Sequence, residues 1–211
     1  MQQLLKIAID GPAGAGKGTL AKKLASALSL PYLDTGLLYR AVARLALDDG
    51  ANPEKEGSYY IEALSQESFK RTDLRTAEVD EAASLVAKDP LVRQGLVAYQ
   101  RTFVEKNGGV LDGRDIGTVI LPEADVKFFI TADSNIRAFR RFLQREGRRP
   151  SETELIRETQ RIEARDQGDS QRKTAPLQKA EDAIEISSNT LSAEEMLVLA
   201  LEHIKRTCQE S

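Results

Sequence analysis

A short apolar run, Leu4-Leu5-Lys6-Ile7-Ala8-Ile9-Asp10, leads directly into Gly11-Pro12-Ala13-Gly14-Ala15-Gly16-Lys17-Gly18-Thr19. A strand followed by G-x-x-x-x-G-K and then a helix is the arrangement that cradles a polyphosphate, the P-loop. Gly11, Gly14 and Gly16 leave room for backbone N–H groups to turn inward, where a Cβ would block the approach. A helix expected to begin near Thr19 adds the positive end of its dipole, and Lys17 adds a mobile charge for the outer phosphates. Gly18 stands where a hydroxyl residue usually follows the lysine. The whole segment from Gly11 to Thr19, with Pro12, Ala13 and Ala15, is expected to hold the phosphates of a nucleotide.

Further clusters carry polar residues at suggestive spacings. Asp34-Thr35-Gly36-Leu37-Leu38-Tyr39-Arg40 places a hydroxyl at a helix start and an arginine about a turn and a half later, although a capped helix alone would look the same. Asp112-Gly113-Arg114-Asp115-Ile116-Gly117-Thr118 follows an apolar run expected to be a central strand. Ligands collect at that edge of a parallel sheet, and Asp112 there suits Mg²⁺ held through water, with no direct protein cage for the metal. Arg165-Asp166-Gln167-Gly168-Asp169-Ser170-Gln171-Arg172 alternates opposite charges, as surface ion pairs also do.

Arginine dominates from Arg137 onward: Arg140, Arg141, Arg145, Arg148, Arg149, Arg157, Arg161, Arg165 and Arg172 follow. Most suit a solvated helical hairpin, pairing with Glu146, Glu152, Glu154, Glu158 and Glu163. Yet the planar guanidinium is also the group matched to phosphate oxygens. With Gly147 and Pro150 marking a break, the stretch from about 145 to 169 is expected to be a lid over transferred phosphate. Arg137 and Arg141 are expected to join the loop on the donor nucleotide.

The elements that must position these groups alternate in type. Leu20, Leu24 and Leu28 recur every four residues beside Ala21 and Ala25, the mark of a helix with one apolar face. Pro31–Asp34 is extended, and a helix runs from Thr35 to about Asp48. Gly50, Pro53 and Gly57 break the pattern, with a short helix expected around Tyr59–Leu64. Helices are expected at Thr76–Lys88, Leu91–Lys106, Ser134–Glu146, Ser151–Asp166 and Ser192–Thr207. Strands are expected at Gly109–Asp112, Val126–Thr131 and Ala183–Ser187. Strands alternating with helices imply an α/β fold, a parallel sheet covered on both faces.

Composition narrows the chemistry. The chain has 211 residues, 41% hydrophobic and 30% charged, which suits one domain rather than two, 1–211 throughout. A net charge of −3 gives no basic field for a nucleic-acid partner. No apolar run reaches the length of a membrane span, and the N-terminal strand lacks a signal-peptide pattern. Cys208 is alone, so no internal disulfide forms and a reducing, cytoplasmic setting is expected. His203, the only histidine, is expected on the surface of the last helix. That leaves arginine, lysine and carboxylates for catalysis, in a chain expected to be a monomer.

Taken together, GPAGAGKGT, LDTGLLYR, LDGRDIGT and RDxxDxxR followed by Ala175-Pro176-Leu177 resemble the bacterial-type cytidylate kinases, a branch of the nucleoside-monophosphate kinases. The likeness runs from residue 7 to about residue 177. It implies a P-loop kinase fold with a monophosphate-binding excursion at about 35–108 and a helical lid. It also implies ATP as donor, Mg²⁺, and CMP or dCMP as acceptor. Thr35, Arg165 and Asp169 match positions on the acceptor's sugar, and Ser84, Arg93, Asp115 and Arg172 match those reading the cytosine edge. Arg40 and Arg114 match arginines near the acceptor phosphate, and Lys17 matches the loop lysine. Lys17, Arg114 and Arg165 are thus the expected catalytic groups. Three departures stand out: Thr35 where the family more often has serine, Gly168 where it commonly has arginine, and a shorter stretch between Asn52 and Asp73.

The chemistry of the base agrees. Cytosine offers an amino donor beside ring acceptors, so a carboxylate such as Asp115 accepts from the first while arginines donate to the others. Other readings stay open at this stage: a small kinase for UMP, AMP or a metabolite such as shikimate, or a nucleotide-binding switch.

Overall fold

The structure is a computed structural model that describes residues 4–65 and 67–210. Its sheet has five strands in the order β2-β3-β1-β4-β5: β1 (Lys6–Asp10), β2 (Tyr32–Asp34), β3 (Gly109–Asp112), β4 (Val126–Thr131) and β5 (Ile184–Ser187). β1 pairs in parallel with β3 and β4, and β4 in parallel with β5. Parallel neighbours cannot be joined by tight turns, so helices carry the crossovers. This is the parallel α/β arrangement that the alternating sequence pattern implies.

One face of the sheet makes the main core. Ile7, Ile9, Val110, Val126, Phe128, Ile130 and Ile186 pack with Leu20 and Leu24 of α1 (Lys17–Leu28) and with Met196, Ala200 and Ile204 of α8 (Ala193–Glu210). α1 opens at Lys17, earlier than the expected start near Thr19. Side chains alternate along a strand, so Ala8 and Asp10 project to the opposite face. There the turn Ile116–Ile120, a single π-helical turn after β3, lies against β1.

The chain divides into two compact units: Leu33–Lys106, and everything before and after it. Leu33–Lys106 overlaps the expected excursion and has a core of its own. Leu38, Val42 and Ala43 of α2 (Thr35–Asp48) meet Val79, Ala83 and Val86 of α4 (Ala77–Val86) and Val92 and Leu96 of α5 (Pro90–Glu105). No helix spans Tyr59–Leu64. A turn of helix, α3 (Pro53–Glu56), comes earlier and tightens into a 3₁₀ turn at Gly57–Tyr60. The Asn52 side chain accepts from Glu54 N at 3.0 Å, and Glu56 accepts from Asn52 N at 2.6 Å. Pro53, expected to break the pattern, starts the helix, because its missing N–H has no partner to lose at the first position.

In the larger unit, α6 (Ser134–Glu146) and α7 (Glu152–Ser170) form the arginine-rich hairpin. Ser151 and Glu154 cap α7 reciprocally. α7 continues past Asp166 to Ser170, so Arg165 and Asp169 are both helical. His203 is half-buried on α8 rather than a surface residue. No helix among the described residues is long and apolar enough to cross a membrane.

Candidate active site

Gly11 to Gly16 bridge β1 and α1. Gly11 has φ 143°, and a Cβ there would lie 2.1 Å from the Ile130 carbonyl oxygen, so only glycine fits beside β4. At Gly14, φ 78°, a Cβ would press on Arg137 Cβ at 3.1 Å. The loop is thus backed by β4 and α6, and its carbonyls are tied from behind. Arg137, buried, donates from Nη1 to Ala13 O at 3.1 Å and from Nε to Ala132 O at 2.7 Å, and its Nη2 pairs with Asp166 at 2.6 Å. Ser188 donates to Ala15 O at 2.9 Å and receives Arg140 Nη1 at 2.9 Å. Holding carbonyls outward turns the intervening N–H groups the other way, as a phosphate cradle requires. Lys17 is buried beside them, with Nζ donating to Pro12 O at 2.9 Å. Arg137, expected on the donor nucleotide, is engaged in supporting the loop. Arg141 reaches only 4.0 Å from Glu158, with its Cγ near Gly14.

Asp112 ends β3 beside the first turn of α1. Tyr32 donates its hydroxyl to Asp112 Oδ1 at 3.0 Å, while Oδ2 lies 3.4 Å from where a Cβ on residue 18 would sit. Gly18 therefore leaves space next to a carboxylate at the helix start. That carboxylate, buried and held by Tyr32, fits a hydrated divalent cation. Among the described residues no cluster of three or more potential ligands forms a protein cage for one.

Beyond β3, Arg114, Asp169 and Arg172 converge. Arg114 Nε donates to Asp169 Oδ2 at 2.9 Å, and Arg172 Nη2 stands 3.7 Å from Asp169 Oδ1. Burial raises the Asp169 pKa, but the charges of Arg114, Arg172 and Arg165 outweigh it and hold the carboxyl below the ordinary value. Asp115 is buried just before the π turn, in a loop stitched to β1. Asp10 accepts from Ile116 N at 2.8 Å and from Gly117 N at 2.7 Å.

The unit Leu33–Lys106 holds the remaining expected residues. Arg40 Nη2 pairs with Asp80 at 2.6 Å, and Ser84 donates to the Asp80 carbonyl at 3.1 Å. Arg93 is buried, donates to Ala87 O at 3.2 Å, and sits 5.6 Å over the Tyr39 ring. Thr35 is buried at the first turn of α2.

The larger unit thus gathers the loop, Lys17, Asp112, Arg114, Asp115, Arg165, Asp169 and Arg172, while Thr35, Arg40, Ser84 and Arg93 lie in the other. Sequence reasoning missed Asp10, Tyr39, Asp80, Asp166 and Ser188. Asp80 had a local signal, standing four residues before Ser84 on one helix face. Glu158, expected to pair with the hairpin arginines, is the buried carboxylate that Arg145 grips with both Nη atoms, at 3.1 and 3.3 Å.

Comparisons with known proteins bear on this geometry. A family model described as cytidylate kinase matches residues 7–206. A cytidylate kinase of Granulibacter bethesdensis is 48% identical over 96% of this chain and 97% of its own. That of Acidiphilium cryptum is 47% identical over 98% of each, and that of Geobacillus sp. WCH70 is 44% identical over 93% of this chain and 95% of its own. Among solved structures, an uncharacterized protein from Eubacterium ventriosum aligns with a TM-score of 0.56 at 16% identity, over 95% of this chain and 98% of its own. A gluconokinase from Sinorhizobium meliloti aligns with a TM-score of 0.54 at 12% identity, over 100% and 97%. At those identities the likeness speaks for the fold alone.

Proposed function

The chain belongs to the cytidylate kinase family, and we propose that it transfers the γ-phosphoryl group of ATP to CMP, with dCMP as a second acceptor. The observation that carries this reading is the cluster of Arg114, Asp115, Asp169 and Arg172 at the C-terminal edge of the sheet that also presents the P-loop. A slow nucleotide switch has no use for a second set of arginines and carboxylates.

Phosphoryl transfer asks little covalent chemistry of the protein, only positioning and charge neutralisation. The N–H groups from Gly11 to Thr19 bind the donor phosphates, with Lys17 on the outer ones and Arg141 beside the loop. Arg137 contributes by holding the loop. Arg114 and Arg165 neutralise the equatorial oxygens of the moving group, and Arg40 binds the acceptor phosphate. Thr35, Arg165 and Asp169 hold the acceptor's sugar, while Ser84, Arg93, Asp115 and Arg172 read the base. Asp112 would hold Mg²⁺ through water, and that cation would supply further neutralisation of phosphate charge. The hairpin from about 145 to 169 serves as a lid. The enzyme works as a monomer in the cytoplasm, a compartment that the single exposed Cys208 supports.

Steady-state phosphorylation of CMP, dCMP, UMP, AMP and shikimate with ATP tests the proposal. CMP should give the highest kcat/KM, followed by dCMP. A higher value for AMP or shikimate would overturn it.

A further inference from the structure

Asp10 is the last residue of β1, directly before Gly11, and only 4% of its surface is exposed. Its two carboxylate oxygens accept from consecutive backbone N–H groups, Ile116 N at 2.8 Å and Gly117 N at 2.7 Å. These residues follow Asp115 and open the π turn. One residue earlier in β1, Ile9 O accepts from Gly113 N at 2.9 Å. The chain from Gly113 to Gly117 is therefore sewn at both ends to the last two residues of β1. Arg114 and Asp115 lie between the stitches.

The fold alone does not call for this carboxylate. β1 already pairs with β3 from Lys6 to Ile9. A buried charge costs desolvation that apolar packing avoids. A forked acceptor does something a hydrocarbon cannot, because it fixes two successive peptide planes and so the direction in which the preceding side chains leave the backbone. The same residue begins the phosphate loop.

We propose that Asp10 is a positioning residue for acceptor recognition, its fork on Ile116 and Gly117 setting Arg114 and Asp115 against the phosphate loop. This rests on the CMP kinase reading above. The electrostatics are those of a group kept for a purpose other than stability. The Asp10 carboxyl is raised to about 6, chiefly by burial and also by the charge of Asp115, against the lowering effect of the Gly117 and Ile116 N–H groups and of Lys17. The Lys127 side chain packs beside Gly117.

Asp10→Asn tests the role. A carboxamide keeps the size but has one acceptor oxygen, so one of the two N–H groups loses its partner. The ratio of kcat/KM for CMP over UMP should fall about tenfold or more, with the KM for ATP held within about twofold. An unchanged ratio, or equal loss on both acceptors with a raised KM for ATP, overturns the proposal and makes Asp10 a support of the loop. Should the variant fail to fold, the wild-type CMP/UMP ratio measured from pH 5 to 8 decides, since the titration of the two acceptors' phosphates cancels in it. The ratio should fall as Asp10 takes up its proton below about pH 6, and a flat ratio overturns the proposal. A wild type that does not prefer CMP at all would instead count against the kinase reading itself.

Discussion

Arg114, just past the end of β3, donates its Nε to the Asp169 carboxylate in the last turn of α7 at 2.9 Å, across 55 residues of sequence. The pair joins the sheet edge to the base of the arginine hairpin. On the proposed function Asp169 then has two jobs, as a ligand for the acceptor's sugar and as the counter-charge facing Arg114, Arg172 and Arg165. A carboxylate in that position should be costly to lose.

Asp169→Ala is expected to destabilise the fold by about 2–3 kcal/mol at pH 7, because it leaves partly buried guanidinium groups without their partner. The sign with pH follows from the lowered pKa. Its contribution is fully present above the unfolded carboxylate value of 3.8 and is lost as pH falls through the lower folded value. Denaturant unfolding of both proteins at pH 7 and pH 3 checks this. The gap between them should shrink at pH 3, and an equal gap at both would assign the loss to packing alone.

The hairpin is anchored at its base by Arg114–Asp169 and by Arg137–Asp166, whereas its tip relies on exposed pairs such as Arg148–Glu154. Exposed ion pairs hold weakly, so opening should concentrate toward the tip. Amide exchange is expected to be fast from Gly147 to about Arg161 without nucleotide and slow with a bisubstrate analogue. Equal protection in both states would make the hairpin a fixed surface feature rather than a lid.

What the sequence made legible and what it hid follow from the range of the interactions. The strand, Gly11–Thr19 and α1 are contiguous, and their residue types answer to local geometry, so the loop could be read directly. The buried runs at Val110-Leu111 and Val126–Thr131 announced central strands for the same reason. The π turn at Ile116–Ile120 and the grip of Asp10 upon it join positions more than a hundred residues apart, and they exist only because β1 lies between β3 and β4. Arg137 shows the same limit. Its type suggested phosphate, but its partners, Ala13 O, Ala132 O and Asp166, depend on where α6 docks. Pro53 starts a helix where a break is expected for a local reason, since a proline after a capping asparagine starts a helix as readily as it ends one.

Gly168 is exposed within α7, and a Cβ there would meet nothing within 4 Å. Glycine in a helix costs roughly 1 kcal/mol relative to alanine. Gly168→Ala should therefore raise stability by about that amount and leave kcat for CMP unchanged. A fall in kcat alongside the gain would mean that the end of α7 must loosen during turnover.

Base choice is the sharpest test of the acceptor site. If Asp115 accepts from the cytosine amino group, uracil meets it with a carbonyl, and two acceptors face each other across a buried contact. A site built around such a bond rejects the ligand that cannot make it, because its own group is left unpaired. Asp115→Ala should then cut kcat/KM for CMP by on the order of 10²-fold, with a much smaller effect on UMP and little on the KM for ATP. Asp115→Asn refines the test. Its carboxamide can turn an NH₂ toward the uracil carbonyl, so the CMP/UMP ratio should drop further by a gain on UMP. Should Asp115 only shape the loop before the π turn, both variants would slow CMP and UMP by the same factor. An unchanged ratio in the alanine variant would remove Asp115 from base reading, whatever happens to the absolute rates.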